Sequence, residues 1–186
     1  MAHGANTTAA HSFGLDTVEE AAPSGVENRP VTAGDLPAVS ALHARVFGPG
    51  RFARTAYRVR EGTPLISPYC RGAFRRGELL AALRMTVVAI GESSPHLMLG
   101  PLAVAPEVQG QGFGQALVTE AVAAARSSGI GVIILVGDMP YYGRFGFTPA
   151  PRGQFQFPGP VNPARILALE ATPGAMAASS GLVRGL

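Results

Sequence analysis

Lysine is absent from this sequence, and cysteine occurs once, at Cys70. A P-loop, which needs Gly-Lys-Ser/Thr, therefore cannot be built. Cys70 has no partner for an internal disulfide and no neighbouring Cys or His at metal-ligand spacing, so it reads as a buried, inert thiol in a strand. The histidines, His3, His11, His43 and His96, are scattered without a paired spacing. No zinc site follows from them, and no metal is expected. Long apolar runs are missing too. The strongest, residues 132–136, stops at Gly137, far short of the roughly 20 residues a membrane-crossing helix requires, so no membrane span is expected. Residues 1–25 lack a basic start followed by an apolar block. They do not read as a secretory signal, which leaves the cytoplasm as the default location.

What is present describes a cored protein. The hydrophobic fraction of 47% against 15% charged residues excludes a chain that stays disordered throughout. The length of 186 residues suits one domain, since domains most often hold roughly 100 to 150 residues. That domain is expected over residues 26–172, between a loose Ala-, Gly-, Ser- and Thr-rich tail at 1–25 and a C-terminal tail at 173–186. The net charge of +3 comes from 15 arginines against 12 acids. The arginines are spread from Arg29 to Arg184, and their tightest group, Arg71, Arg75 and Arg76, precedes Gly77 where a turn is expected. A solvated hairpin accounts for that group. A nucleic-acid footprint would need a basic stripe with aromatic platforms, and no nucleic-acid partner is expected.

Thr32 followed by Asp35 is a capping-box-like start, and Leu36, Val39, Leu42, His43, Val46 and Phe47 then recur at helical spacing until Gly48-Pro49-Gly50. His43 falls on or beside the apolar stripe and reads as a core or boundary histidine. A second short helix is expected over 51–60, closed by Pro64. The pattern then changes to three consecutive antiparallel strands over 69–74, 79–90 and 97–104, with turns at 75–77 and 91–95. A Gly-rich turn, a helix over 112–128 and an apolar strand over 132–136 follow, which is a βαβ unit with a parallel pair. Phe113, Leu117, Val118, Ala121, Val122 and Ala125 form the apolar face of that helix. A short helix at 140–145 and strands at 154–157 and 166–169 complete the pattern.

Gln109-Gly110-Gln111-Gly112-Phe113-Gly114 stands between a strand and a helix. The first helical N–H groups there have no internal partner, the helix dipole adds positive character, and glycine lets backbone approach an anion. A packing turn would explain the glycines equally well. A dinucleotide fold is disfavoured, because its glycines follow the first strand of a parallel sheet in a different spacing.

Leu99-Gly100-Pro101-Leu102-Ala103-Val104, then Gln109-x-x-Gly112-x-Gly114, then Tyr141-Tyr142-Gly143-Arg144-Phe145-Gly146-Phe147 resembles the GNAT superfamily of N-acetyltransferases. The likeness covers residues 29–170 and is strongest to a bacterial branch of predicted acetyltransferases. It implies an α/β (α+β) fold, with a mixed, mostly antiparallel central sheet of about six to seven strands flanked by helices, and a splayed parallel pair. It also implies acetyl-coenzyme A as acyl donor. Leu102, Ala103 and Val104 would then offer backbone groups to the pantetheine arm, with Pro101 marking a bulge where the pair splays. Gln109, Gly110, Gln111, Gly112, Phe113 and Gly114 would bind the pyrophosphate, mainly through backbone N–H groups, with the Phe113 side chain in the core. Tyr142 matches the position from which the departing thiolate is protonated, whereas Tyr141 would line the acceptor pocket, or one of the pair would pack against Phe145 and Phe147, and which of the two is nearer the thiol is left open.

The acceptor amine must lose a proton, and His96, Glu61 and Asp138 are the candidates to take it. Asp138 stands where many members of the family carry Asn. Direct attack in a ternary complex needs no nucleophile on the enzyme. The acceptor itself is left open between a small amine, an amino-acid derivative and a peptide N-terminus, in a site walled by residues 51–64 and 149–163. The acyl chain length is open as well. A noncatalytic acyl-coenzyme A sensor on the same fold is the alternative, and dimerisation is common in such folds although nothing in the chain specifies an interface.

Overall fold

The computed structural model describes residue 1, residues 25–50 and residues 55–186. The tail expected over residues 1–25, its two ends apart, and the start of the helix expected over 51–60 lie outside the described residues. In chain order the elements are β1 (Val26–Pro30), α1 (Leu36–Phe47), α2 (Thr55–Val59), β2 (Arg71–Arg75), β3 (Glu78–Ile90), β4 (Ser93–Val104) and α3 (Phe113–Ser127). There follow β5 (Val132–Val136), α4 (Met139–Tyr142), β6 (Thr148–Pro149), β7 (Phe155–Gln156), β8 (Ile166–Glu170), α5 (Ala175–Ala178) and β9 (Gly181–Gly185).

The strands join in the order β1-β2-β3-β4-β5-β8-β6, with β9 pairing β3 and β7. All these pairs are antiparallel except β4 with β5 and β7 with β9. Alternation sends Ile133, Leu135, Leu97, Leu99, Leu167 and Leu169 into one core with Leu42 of α1 and the apolar face of α3. Val132, Ile134, Met98, Ile166 and Ala168 enter a second core with Val59, Phe155 and Val183. The middle of the sheet is thus covered on both faces, which is why 132–136 is continuously apolar rather than alternating.

The start of α1 is built as its sequence suggests. Asp35 accepts from the Thr32 backbone N–H at 2.8 Å and the Thr32 hydroxyl at 2.7 Å. Arg29 grips the same carboxylate through two nitrogens at 2.8 Å, and this charge-assisted pair holds Asp35 well below the usual carboxylate range. A one-turn 3-10 segment, Ala33–Asp35, intervenes before the α-helix begins.

Three strands are additional to those the pattern marks. β1 reads Val-Glu-Asn-Arg-Pro, too short and polar to show a period, yet it pairs with β2 along its length. β6 is two residues long. The segment from Pro173, expected to be a tail, instead carries α5 and β9, and Val183 of β9 is 1% exposed. Its flanking Gly181 and Gly185 conceal a strand that docks on β3. Cys70 is buried, as expected, but it immediately precedes β2 rather than lying in it. Its thiol donates to the Met85 carbonyl at 3.4 Å.

The βαβ unit sets up the site. β4 and β5 pair only at Leu97 with Ile133 and Met98 with Ile134. Beyond Met98, β5 continues with β8 while β4 stays with β3. Opposite the single residue between Leu83 and Met85, β4 places both Gly100 and Pro101, a bulge at the point where the parallel strands part.

Candidate active site

The loop between β4 and α3 reaches the helix through two left-handed glycines, Gly110 at φ 80° and Gly112 at φ 84°, and a Cβ on either would meet open space. A side chain at Gly112 would therefore strain the backbone rather than collide. The loop is tied down at both ends. The Gln109 amide donates to the Val104 carbonyl at 3.3 Å, and the Gln111 N–H bonds the Val108 carbonyl at 3.4 Å. Arg45 of α1 pairs with Glu107, just ahead of the loop.

A cleft of about 290 Å³ lies against this loop. Leu102, Val104, Gln109, Gly110, Gly112, Phe113 and Gly114 line it, together with Tyr141. Ala103 and Gln111 do not: strand alternation turns Ala103 into the core, fully buried, and Gln111 is exposed. Phe113 is 3% exposed and packs with the core, as its sequence position suggests. At Gly114 the fit is close. A Cβ there would sit 2.9 Å from the Tyr141 hydroxyl and 3.2 Å from Val104. No acid is among the described lining residues, so an anionic group beside the first turn of α3 would meet amide donors and no carboxylate.

A second cavity of about 610 Å³ occupies the gap where β4 leaves β5. Its walls include Thr55, Tyr57 and Arg60 on one side and Pro160, Val161 and Asn162 on the other, drawn from the two segments expected to enclose an acceptor. Tyr142 and Asp138 line it, and Leu102 is the residue that it shares with the first cleft. The adjacent tyrosines thus serve different spaces. Tyr141 borders the glycine loop, and Tyr142 borders the larger cavity.

Tyr142 is firmly placed. Its ring meets Tyr141 edge-on at 4.9 Å and Phe147 at 5.9 Å between centroids. A Cβ on Gly137 would lie 2.5 Å from the Tyr142 ring, so glycine there makes room for it. Burial, then the neighbouring Tyr141 and Asp138, push the Tyr142 phenol well above its ordinary value, and burial raises Tyr141 as well. Both hydroxyls hold their protons at neutral pH.

The three candidates for a base are not equivalent. His96 lies inside β4, 2% exposed. Its Nδ1 accepts the Val132 N–H at 3.0 Å, and Nε2 faces Ser93 at 3.0 Å and Ser179 at 3.2 Å. That network fixes a neutral imidazole in a structural role, and burial lowers its pKa. Glu61 is exposed and absent from the lining of both cavities. Asp138 alone of the three faces the larger cavity, where Arg165 holds its carboxylate at 3.1 Å.

Arg60 carries no motif and is the site residue that pattern reading missed. It is 5% exposed, its Nε donates to Thr86 at 3.2 Å, and its Nη2 donates to the Gly100 carbonyl at the bulge. Burial, with Arg84 nearby, pushes the guanidinium down to about 9, so it remains charged at neutral pH.

A mixed sheet with a parted parallel pair, a glycine loop opening a helix at the parting and a buried phenol beside it define an acyltransferase fold. The chain belongs to the acetyltransferase (GNAT) domain family, which matches residues 27–150. It is 39% identical over 72 residues to the uncharacterized N-acetyltransferase YjhQ of Escherichia coli K12, spanning 38% of this chain and 39% of that protein. It is 28% identical over 117 residues to the uncharacterized N-acetyltransferase YhbS of the same organism, spanning 62% of this chain and 70% of that one. The crystal structure of E. coli YhbS in complex with CoA superimposes with a TM-score of 0.72 at 25% identity, covering 87% of this chain and 89% of the other. A GNAT family acetyltransferase from Brucella melitensis in complex with acetyl-CoA shares the fold at a TM-score of 0.61 and 24% identity, covering 80% and 89%.

Proposed function

We propose that this N-acetyltransferase moves the acetyl group of acetyl-coenzyme A onto a primary amine by direct attack, with both substrates bound together. The observation that carries this reading is the meeting of two cavities at Leu102, one against the glycine loop and one beside Tyr142. The loop amides and the first turn of α3 would hold the pyrophosphate, and the β4 backbone freed from β5 would hold the pantetheine arm. The YhbS relative binds CoA and the Brucella relative acetyl-CoA, which supports a coenzyme A thioester as the donor.

In the reaction the acceptor nitrogen bonds to the acetyl carbon, the carbon–sulfur bond breaks, and the Tyr142 hydroxyl gives its proton to the sulfur. The phenolate is reprotonated from solvent, to which the attacking nitrogen loses its own proton. A thiol near pKa 8.5 already leaves readily at neutral pH, so the acid adds about 10²-fold, the low end of general-acid catalysis. Asp138, which lines the larger cavity, would pass the amine's proton to solvent.

The test is calorimetric titration of acetyl-coenzyme A into the wild type and Gly112→Trp, followed by thiol release in the presence of amines. Binding lost in the variant, with thiol release dependent on an amine, is the expected result. Absence of binding to folded wild type would sink the proposal. Tight binding with no turnover against a broad amine panel would leave a sensor of acyl-coenzyme A in its place.

A further inference from the structure

The smaller cleft holds a polar group that acetyl transfer as derived above leaves unused, the Tyr141 hydroxyl. Its oxygen lies 2.9 Å from the position that a Cβ on Gly114 would take, at the start of α3. Side-chain methyl groups of Val104 and Leu102 stand 3.2 and 3.4 Å from the same point. The ring that carries the hydroxyl there is held along its length. It meets Tyr142 edge-on at 4.9 Å and Phe145 at 5.8 Å, and the Arg144 guanidinium stands 5.3 Å from its centre. The hydroxyl itself makes no hydrogen bond to any described residue. It is the only side-chain hydroxyl among the described lining residues, and the Gln109 amide is already engaged by the Val104 carbonyl.

A half-buried phenol among apolar groups costs free energy unless something completes its hydrogen bond. Burial keeps its proton in place, so the cleft's occupant has to bring an acceptor. From this geometry we propose that Tyr141 binds the acyl donor, its hydroxyl donating to an amide carbonyl of the pantetheine arm as the arm passes Leu102, Val104 and Gly114. The inference rests on the acetyl-transfer reading for the identity of the ligand. On that reading the arm lies along β4 between the glycine loop and Leu102, where the side-chain walls are otherwise apolar. A carbonyl turned away from the β4 backbone finds its partner in Tyr141. Gly114 belongs to the same device, because a methyl group there would push the hydroxyl out of line. The adjacent tyrosines then have separate tasks, Tyr141 holding the arm and Tyr142 serving the sulfur.

Calorimetric titrations of the protein with CoA, acetyl-coenzyme A and adenosine 3′-phosphate 5′-diphosphate, which is CoA without its arm, test the assignment. The armless nucleotide is measured by competition against CoA. Tyr141→Phe keeps the ring and removes only the hydroxyl. It is expected to weaken CoA and acetyl-coenzyme A alike, by about three- to tenfold, the share of one hydrogen bond. The armless nucleotide is expected to bind the variant as it binds the wild type, whereas a packing defect in the loop would weaken all three ligands. Gly114→Ala is expected to weaken CoA, and to cost less in the Tyr141→Phe background, where no hydroxyl is left to displace.

Unchanged affinity of Tyr141→Phe for CoA and acetyl-coenzyme A would overturn the inference, and so would equal losses for all three ligands. A loss confined to acetyl-coenzyme A would move the contact to the thioester carbonyl and overturn the assignment to the arm. Failure of folded wild type to bind CoA would instead sink the acetyl-transfer reading, and this inference with it.

Discussion

At the level of single residues, the site depends on Tyr142 and on what makes room for it. Tyr142→Phe keeps the ring packing against Phe147 and removes the proposed proton donor. It should lower kcat by about 10²-fold and leave acetyl-coenzyme A binding unchanged by calorimetry. Gly137→Ala acts on the same hydroxyl from behind, because its methyl would overlap the Tyr142 ring and the Leu135 side chain at 2.5 and 2.7 Å. We expect it to reduce kcat as well, at a stability cost of about 1 to 3 kcal/mol in urea unfolding. The tyrosine pair was legible because it precedes Gly146-Phe147 at a recognisable spacing. The division of labour between Tyr141 and Tyr142 was not, since neighbours on a short helix point to different sides and only the packing of Gly114 and Gly137 decides which side each takes. Arg60 had no sequence signal at all: an arginine in a short, weakly amphipathic helix looks like any other surface cation until the fold buries it.

Among the elements, the long strands and α3 were readable because their apolar residues outnumber every competing pattern. β9 was not, because glycines at both ends and one inward residue leave no period to detect. That one residue matters nonetheless. Val183→Ala should cost about 2 kcal/mol, two buried carbons plus the cavity they leave, although composition alone would predict no effect in a tail. β4 carries a pH response through His96. Its folded-state pKa is lowered by burial, so below the unfolded value near about 6.5 the unfolded chain binds a proton that the folded chain refuses. Stability contributed by neutral His96 is therefore full above about pH 7 and declines as pH falls toward 5. Thermal melts across that range should show a steeper loss for the wild type than for His96→Gln.

For the whole molecule, the two cavities have separate walls that share Leu102, and in the proposed reaction they take donor and acceptor. Two such spaces predict intersecting double-reciprocal plots when both substrates are varied, and parallel lines would signal a covalent acyl-enzyme instead. On the proposed reading Leu102 borders both the donor and the acceptor space, which makes this residue a ruler for acyl groups: shortened to alanine, it should admit propionyl and butyryl thioesters at the expense of a well-aimed acetyl.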